Sequence, residues 1–455
     1  MGLSPQRKGG MMSATKGSSL SAVRTAQALA EETIRKYNEH VIVSMTKGIQ
    51  PIVVERARGA VITDAGGKDF LDCFAGISVV NSGHCNSEVV EAVQAQVAKL
   101  IHCCSYIYYS QPTADLAEKL AQIAPGRLNK TFFANSGAEA IEGAVKLAKL
   151  YTGKHEILSL QYGFHGRTWG ALSLTGNASR KLRGGPYAPG VAFAPAPYVY
   201  RSAWPHDPER CVQDCVRAIE ETIRFSTSGD VAAFIAEPVL GEGGILVPPT
   251  SYFRRVKEVL DRHKILFIAD EVQSGFGRTG KMFAIEHYAV EPDILVTAKG
   301  IADGFPLSGF TTRDEIAAAF RPGDHLSTFG GNPVCCAAGL ANIAYMEREN
   351  LPQRALQHGQ YVEEKLKALQ ARFPIIGDVR GLGLMIGLEL VKDAQLTPAA
   401  AEAEAIREEC RKKGLLVGVG GAYGNVLRIQ PPLVISREQL DQAVAVLEEC
   451  FAGLS

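Results

Sequence analysis

Two short runs, Val231 to Ala236 and Ile265 to Ala269, are apolar at every position. Between them lie Tyr252, Phe253, Val256, Val259 and Leu260, spaced to share one face of a helix. A strand that is apolar throughout is buried on both faces, and a helical crossover returns the chain to a parallel neighbour. The pattern predicts an α/β chain with a mostly parallel sheet covered by helices. Other segments keep the rhythm. A helix is expected over Ala114 to Ile123 and a strand over Thr131 to Ala134. A second helix is expected over Ala138 to Tyr151, with Ile141, Val145, Ala148 and Leu150 as its apolar positions, and a short strand at Ile294, Leu295 and Val296.

Three of the apolar strands run into an ionisable group. FIAEP leads to Glu237, LFIADEV to Asp270 and DILVTAKG to Lys299. In open parallel sheets the functional crevice lies beyond the carboxyl ends of the strands, so the three groups can converge. Any one of them alone reads as a helix cap or an isolated ion pair; the three together read as a site. Lysine is rarely buried without a partner or a task. In a low-dielectric pocket its amine has a depressed pKa and attacks carbonyls. Pyridoxal phosphate is the cofactor that most often exploits such a lysine, with an acid facing its pyridine nitrogen. Asp270 is the candidate acid. Phe133 to Ala140 reads as strand, small-residue turn and helix start, a phosphate cradle. Within it Ser136 and Glu139 also have the spacing of a simple capping box.

Composition excludes several alternatives. The 455 residues exceed one ordinary domain, and 48 basic residues balance 48 acidic ones, so neither nucleic acid nor a membrane surface is expected as a partner. No apolar run approaches the roughly 18 residues of a spanning helix. The ten cysteines include the adjacent pairs Cys103–Cys104 and Cys335–Cys336 but no zinc spacing, which predicts reduced thiols, no metal and a cytoplasmic setting. Met1 to Ala30 contains no acid and no apolar signal stretch, and Gln6 stands where myristoylation needs Ser or Thr. A flexible extension is expected there in preference to a transit peptide, with Met11 or Met12 as an alternative start. Gly275 to Gly280, GFGRTG, matches the GxGxxG pattern of dinucleotide sites. It begins five positions after Asp270 rather than directly after a strand, and it leaves Lys299 unexplained. A non-catalytic nucleotide-binding protein is the rival reading it would support.

The motifs together resemble those of class III pyridoxal-phosphate aminotransferases, the family of the 4-aminobutyrate and ornithine aminotransferases. IADEVQSGFGRTGKMFAIEH, DILVTAKGIADGFPLSG, NSGAEA, FHGRT, AEPVLGEGG and STFGGNP carry the resemblance, which extends over roughly residues 30 to 450. It implies the fold type I, aspartate-aminotransferase-like architecture: a large domain with a seven-stranded sheet and a smaller α+β domain from both chain ends. The expected division is an extension over 1–25, small-domain segments at 26–80 and 326–455, and the cofactor domain at 81–325. It also implies a homodimer or a dimer of dimers. Under it Lys299 would hold the cofactor, Asp270 would pair with the ring nitrogen, Gln273 would approach the ring's phenolic oxygen and Phe164 would stack on the ring. Gly137 and Ala138 would bind the phosphate, and Thr328 would reach the cofactor of the partner subunit. Ser136, His165, Glu237 and Val272 would complete the pocket.

For substrates, the resemblance assigns Arg428 in NVLRIQPPL to an α-carboxylate, Glu242 in GEGG to neutralising that arginine, and Arg167 in FHGRT to a distal carboxylate. A planar guanidinium suits the task because it binds a carboxylate through two parallel hydrogen bonds. Arg167 and Ile77 are similar to the 4-aminobutyrate group, whereas GLLVGVGGAYGNVLRIQPPL is similar to type 2 alanine–glyoxylate aminotransferases. The expected activity is an ω-transaminase passing an amino group from an ω-amino acid or amine to a 2-oxo acid. Alanine–glyoxylate chemistry and amino-acid racemisation are the alternatives on the same scaffold.

Overall fold

The computed structural model describes residues 17–44 and 49–454. The extension expected over 1–25 lies outside the described residues as far as residue 16, as do Gln6, Met11 and Met12; residues 17–25 open the helix Gly17–His40. The chain divides into two compact units, 1–57 with 61–70, and 58–60 with 71–455. In the first, the strand Val61–Asp64 ends in a turn that Asp64 holds, its Oδ1 accepting from the Gly66 and Lys68 amides at 2.9 Å.

The second unit contains the predicted sheet. Its strands are β1 Lys130–Ala134, β2 Glu156–Leu160, β3 Val191–Ala194, β4 Val231–Ala236, β5 Leu266–Asp270, β6 Ile294–Thr297 and β7 Ser308–Thr312. The order across the sheet is β1-β7-β6-β5-β4-β2-β3, and only β7 runs antiparallel to its neighbours. Strands β4, β5 and β6 lie side by side with Ala236 opposite Ala269 and Asp270 opposite Val296. Glu237, Asp270 and Lys299 therefore emerge at one edge.

Both faces of the sheet are covered. Phe234 and Phe267 meet the helix α2, Tyr252–His263, through Phe253, whose ring stacks on Phe267 at 5.6 Å. Ile235, Ile268 and Val296 pack in a second cluster with Ile141, Ala144, Leu147 and Ala148 of α1, Gly137–Thr152. Leu150, read as one of the helix's apolar positions, is 45 % exposed. Nine positions from Ile141 is two and a half turns, which puts Leu150 on the opposite side, and Leu147 takes the core position instead. Gly143 lets α1 approach closely, since a Cβ there would lie 2.5 Å from the Phe310 ring.

A second, antiparallel sheet follows: β8 Ile376–Leu382, β9 Met385–Leu390, β10 Gly418–Gly420 and β11 Val426–Ile429, in the order β8-β9-β11-β10. β11 carries Arg428. The GFGRTG segment is buried throughout and runs as turns rather than into a helix. Gly277 and Gly280 have φ of +85° and +100°, a conformation that favours glycine. Fully buried Arg278 donates to the Leu384 carbonyl at 3.0 Å, the Pro431 carbonyl and the Asn81 side chain at 2.6 Å. The glycines thus make a turn around a structural arginine, and the nucleotide-binding reading has no open loop to rest on.

Candidate active site

The three strand ends open on a cavity of about 310 Å³, within the ~300–1,000 Å³ typical of small-molecule sites. A larger groove of about 520 Å³ beside Lys146, Lys149 and Lys154 lacks any such convergence of acids and an amine. The first cavity is lined by Ser136, Gly137, Ala138, Phe164, His165, Arg167, Glu237, Asp270, Val272, Gln273 and Lys299. The lining also includes Val79, Asn135, Gly166, Ala298, Phe305, Pro306 and Leu307, which were not among the expected site residues.

Lys299 follows β6 with φ +48° and is partly buried. Burial lowers its pKa, against the opposing pull of the Asp270 and Glu237 charges, and nearby Arg428 lowers it further. The amine is thereby moved toward its uncharged, nucleophilic form. Asp270 ends β5 and is held at both oxygens: Oδ1 accepts from the Val272 amide at 3.0 Å, and Oδ2 lies 2.7 Å from His165 Nδ1. A carboxylate accepts only, so the His165 proton sits on Nδ1. The other ring nitrogen, Nε2, is buried without a partner among the described residues. Glu237 accepts from the Phe164 and Gly241 amides, each at 2.9 Å. Burial and then the Asp270 charge push its pKa up to about 7.

The cradle is built by α1. Ser136 Oγ accepts from the Glu139 amide at 3.3 Å, and Glu139 Oε2 accepts in return from the Ser136 amide at 3.3 Å and from the Asn135 amide at 2.7 Å. The capping box is real, and it leaves the Gly137 and Ala138 amides in the first turn, where no intrahelical acceptor exists. A Cβ on Gly137 would lie 3.0 Å from Val272, so glycine fits where Val272 closes the wall. Backbone donors at a helix start, an acid opposite, an amine between and a half-buried Phe164 ring form the donor set that a phosphorylated pyridine aldehyde needs. The residues present fit that group.

Gln273 is buried and its Oε1 accepts from Gln430 Nε2 at 3.0 Å, while Gln430 Oε1 has no partner among the described residues. Arg167 is exposed at the mouth, its guanidinium 5.5 Å from the Phe164 ring centroid, with no ion pair among the described residues. Ile77 does not line the cavity. It is 41 % exposed on a left-handed turn, Ala75 to Ser78, where its own φ is +72°; Val79 is the neighbour that reaches the wall. Asp72 holds this turn through the Phe74 and Ala75 amides at 2.8 and 2.9 Å. Thr328 is exposed and outside the cavity.

Glu242 and Arg428 lie beyond the cavity lining and are paired, Arg428 Nη1 donating to Glu242 Oε2 at 2.9 Å. Sequence reasoning missed a third member. Arg180 Nη2 donates to the other oxygen, Glu242 Oε1. Arg180 ends a short 3-10 turn in a basic stretch, NASRKLR, that matches no motif. Arg380 was also missed. It fixes the GEGG loop by donating to the Gly244 carbonyl, and pairs with Asp378 and buried Glu389 at 2.6 and 2.8 Å.

Comparison with known proteins agrees with this geometry. Residues 42–451 match the family model "Aminotransferase class-III". The 5-aminovalerate aminotransferase of Pseudomonas putida is 40 % identical over 410 residues, covering 90 % of this chain and 95 % of that one. The leucine/methionine racemase of Thermococcus litoralis is 40 % identical over 429 residues, covering 93 % and 96 %. Among solved structures, a PLP-bound amine transaminase from an uncultivated Pseudomonas species superposes with a TM-score of 0.86 at 36 % identity, over 91 % of this chain and 98 % of that one.

Proposed function

The chain belongs to the class III aminotransferases, pyridoxal-phosphate enzymes of the fold type I architecture, and on that premise we propose that it transfers the amino group of an ω-amino acid or amine to a 2-oxo acid. The observation that carries this reading is a pair of arginines suited to carboxylates: Arg167 at the cavity mouth, and Arg428, outside the cavity lining and paired with Glu242. When bound, pyridoxal phosphate supplies the carbonyl carbon that takes up amino groups and a ring that accepts an electron pair.

The protein does the rest. The Gly137 and Ala138 amides would hold the phosphate, and Thr328 of the partner subunit would add a hydroxyl. Phe164 would pack on the ring and Gln273 would meet its phenolic oxygen. Asp270, fixed by the Val272 amide and His165, would keep the ring nitrogen protonated. Lys299 Nζ would take the proton from the amine-bearing carbon of the donor as base and, as acid, pass it to the cofactor's carbonyl carbon rather than return it. Arg167 orients the distal carboxylate of an ω-amino acid. Glu242 neutralises Arg428, which would otherwise be a desolvated charge without a counterion.

A single-turnover panel of 4-aminobutyrate, β-alanine, ornithine, alanine and a plain amine, with a 2-oxo acid for the return, tests the reading. Glu242→Ala should slow the ω-amino half-reaction far more than the 2-oxo acid one. Arg167→Ala should weaken carboxylated ω-amino donors by about tenfold or more, the scale of one charge-assisted contact, and spare the plain amine. Equal losses in both half-reactions for Glu242→Ala remove its gating role. Indifference of 4-aminobutyrate and β-alanine to Arg167→Ala moves the reading to alanine–glyoxylate chemistry. Racemisation is the second reading, favoured by the 40 % identity to the Thermococcus litoralis racemase. It predicts inversion of alanine without any need for a 2-oxo acid.

The same proposal includes a homodimer. Ile107, Tyr108 and Tyr109 are 64 %, 66 % and 109 % exposed, and Leu326 and Phe329 beside Thr328 are 58 % and 60 % exposed. Apolar surface of this kind marks an interaction face. Thr328→Ala should weaken cofactor binding by about tenfold, as loss of one hydrogen bond to a charged group does, measured by fluorescence titration. An active monomer in light scattering, or unchanged cofactor affinity, refutes the shared site.

A further inference from the structure

Glu242 is held by two arginines, one on each oxygen. We infer that Arg180 is a specificity-determining residue that keeps Glu242 in the site while Arg428 takes the α-carboxylate of a 2-oxo acid. The inference rests on the aminotransferase reading above and deepens it.

Charge is the first argument. A lone Glu242–Arg428 pair is neutral, so an incoming carboxylate leaves an excess negative charge unless Glu242 is expelled. With Arg180 on its other oxygen, Glu242 keeps a cationic partner when a substrate carboxylate takes Arg428. Glu242 can release Arg428 without leaving Arg180, because its two oxygens serve different arginines.

Burial is the second argument. Side-chain exposures are 19 % for Arg180, 18 % for Glu242 and 5 % for Arg428. Water is a poor substitute partner for a carboxylate displaced in such a place, so a second cation decides what displacement costs. Arg428 is also under-committed. Its Nε has no partner among the described residues and its Nη2 reaches the Val419 carbonyl only at 3.4 Å. A carboxylate could bridge Nε and one Nη in the two-pronged arrangement guanidinium groups favour. Gly420 packs against that edge, where a Cβ would lie 2.7 Å from Nε. The anchoring of the GEGG loop by Arg380 fixes the Glu242 backbone, so what remains to move is the side chain.

Arg180→Gln separates this role from a structural one. Pyruvate and 2-oxoglutarate should bind about tenfold more weakly, a difference of about 1.4 kcal/mol, by calorimetric titration of the holoenzyme and as a raised KM with kcat changed less. A plain amine donor should be unaffected. Arg180→Lys should recover part of the loss. In a Glu242→Gln background, Arg180→Gln should have little further effect, because the carboxylate it manages is gone. Equal weakening of plain amine and 2-oxo acid, or an undiminished effect of Arg180→Gln in the Glu242→Gln background, overturns the inference. Absence of amine turnover in the unsubstituted enzyme would instead reject the aminotransferase reading itself.

Discussion

Lys299→Ala should abolish amino-group transfer, with a fall of at least about 10³-fold, within the range a positioned acid–base group supplies. The substitution removes the only amine in the cavity wall among the described residues, and with it both the anchoring group and the proton carrier. Folding should survive. Position 299 has φ +48°, but lysine and alanine both carry a Cβ, so the backbone cost is already present in the native chain. The buried amine also pays a desolvation penalty, visible as its lowered pKa, and deleting it relieves that penalty. A melting temperature close to the native value with lost turnover is the expected pair of results. A small primary amine added to the variant should restore part of the rate by replacing the proton carrier. Near-native turnover in Lys299→Ala would remove the lysine from the chemistry.

The position of this lysine was legible in the sequence for a physical reason. β4, β5 and β6 are buried on both faces, so they read as unbroken apolar runs, and polar residues at their carboxyl ends stand out. β7, Ser308–Thr312, was not legible, although it is buried throughout and lies between β1 and β6. Its sequence, SGFTT, has one large apolar residue and looks like a turn. Thr311 and Thr312 are held there by hydroxyl partners, the Thr131 side chain and the Asp293 carbonyl. β8, IGDVRGL, hides for a similar reason: glycines and charges interrupt it, and Arg380 within it has a structural task. Arg180 was invisible because its partner, Glu242, is 62 residues away and no local pattern marks the pair. Local periodicity reports burial, whereas a long-range ion pair leaves no trace in spacing.

Asp270→Asn should cost about 10²–10³-fold in both half-reactions, the scale of removing one preorganised electrostatic group, or about 2.7–4 kcal/mol. The shape changes little, because Asn is nearly isosteric and its amide oxygen can still accept one of the two bonds that hold Asp270. The other bond then meets an NH2 group. His165 can adapt by moving its proton from Nδ1 to Nε2, but Nε2 has no acceptor among the described residues, so the adaptation buries an unsatisfied donor. What the variant loses outright is the negative charge that keeps a proton on the ring nitrogen. Glu237 reports this loss independently. Its pKa of about 7 is raised first by burial and second by the Asp270 charge. Removing that charge should move the Glu237 titration to lower pH, while burial still keeps it above the ordinary carboxylate range. A carboxyl titration of Glu237 should therefore move to lower pH in the variant as the maximum rate falls. A rate loss below about tenfold, roughly 1.4 kcal/mol, would show that Asp270 is not the group facing the ring nitrogen. In that event Glu237, the neighbouring buried acid at the end of β4, would be the next residue to test.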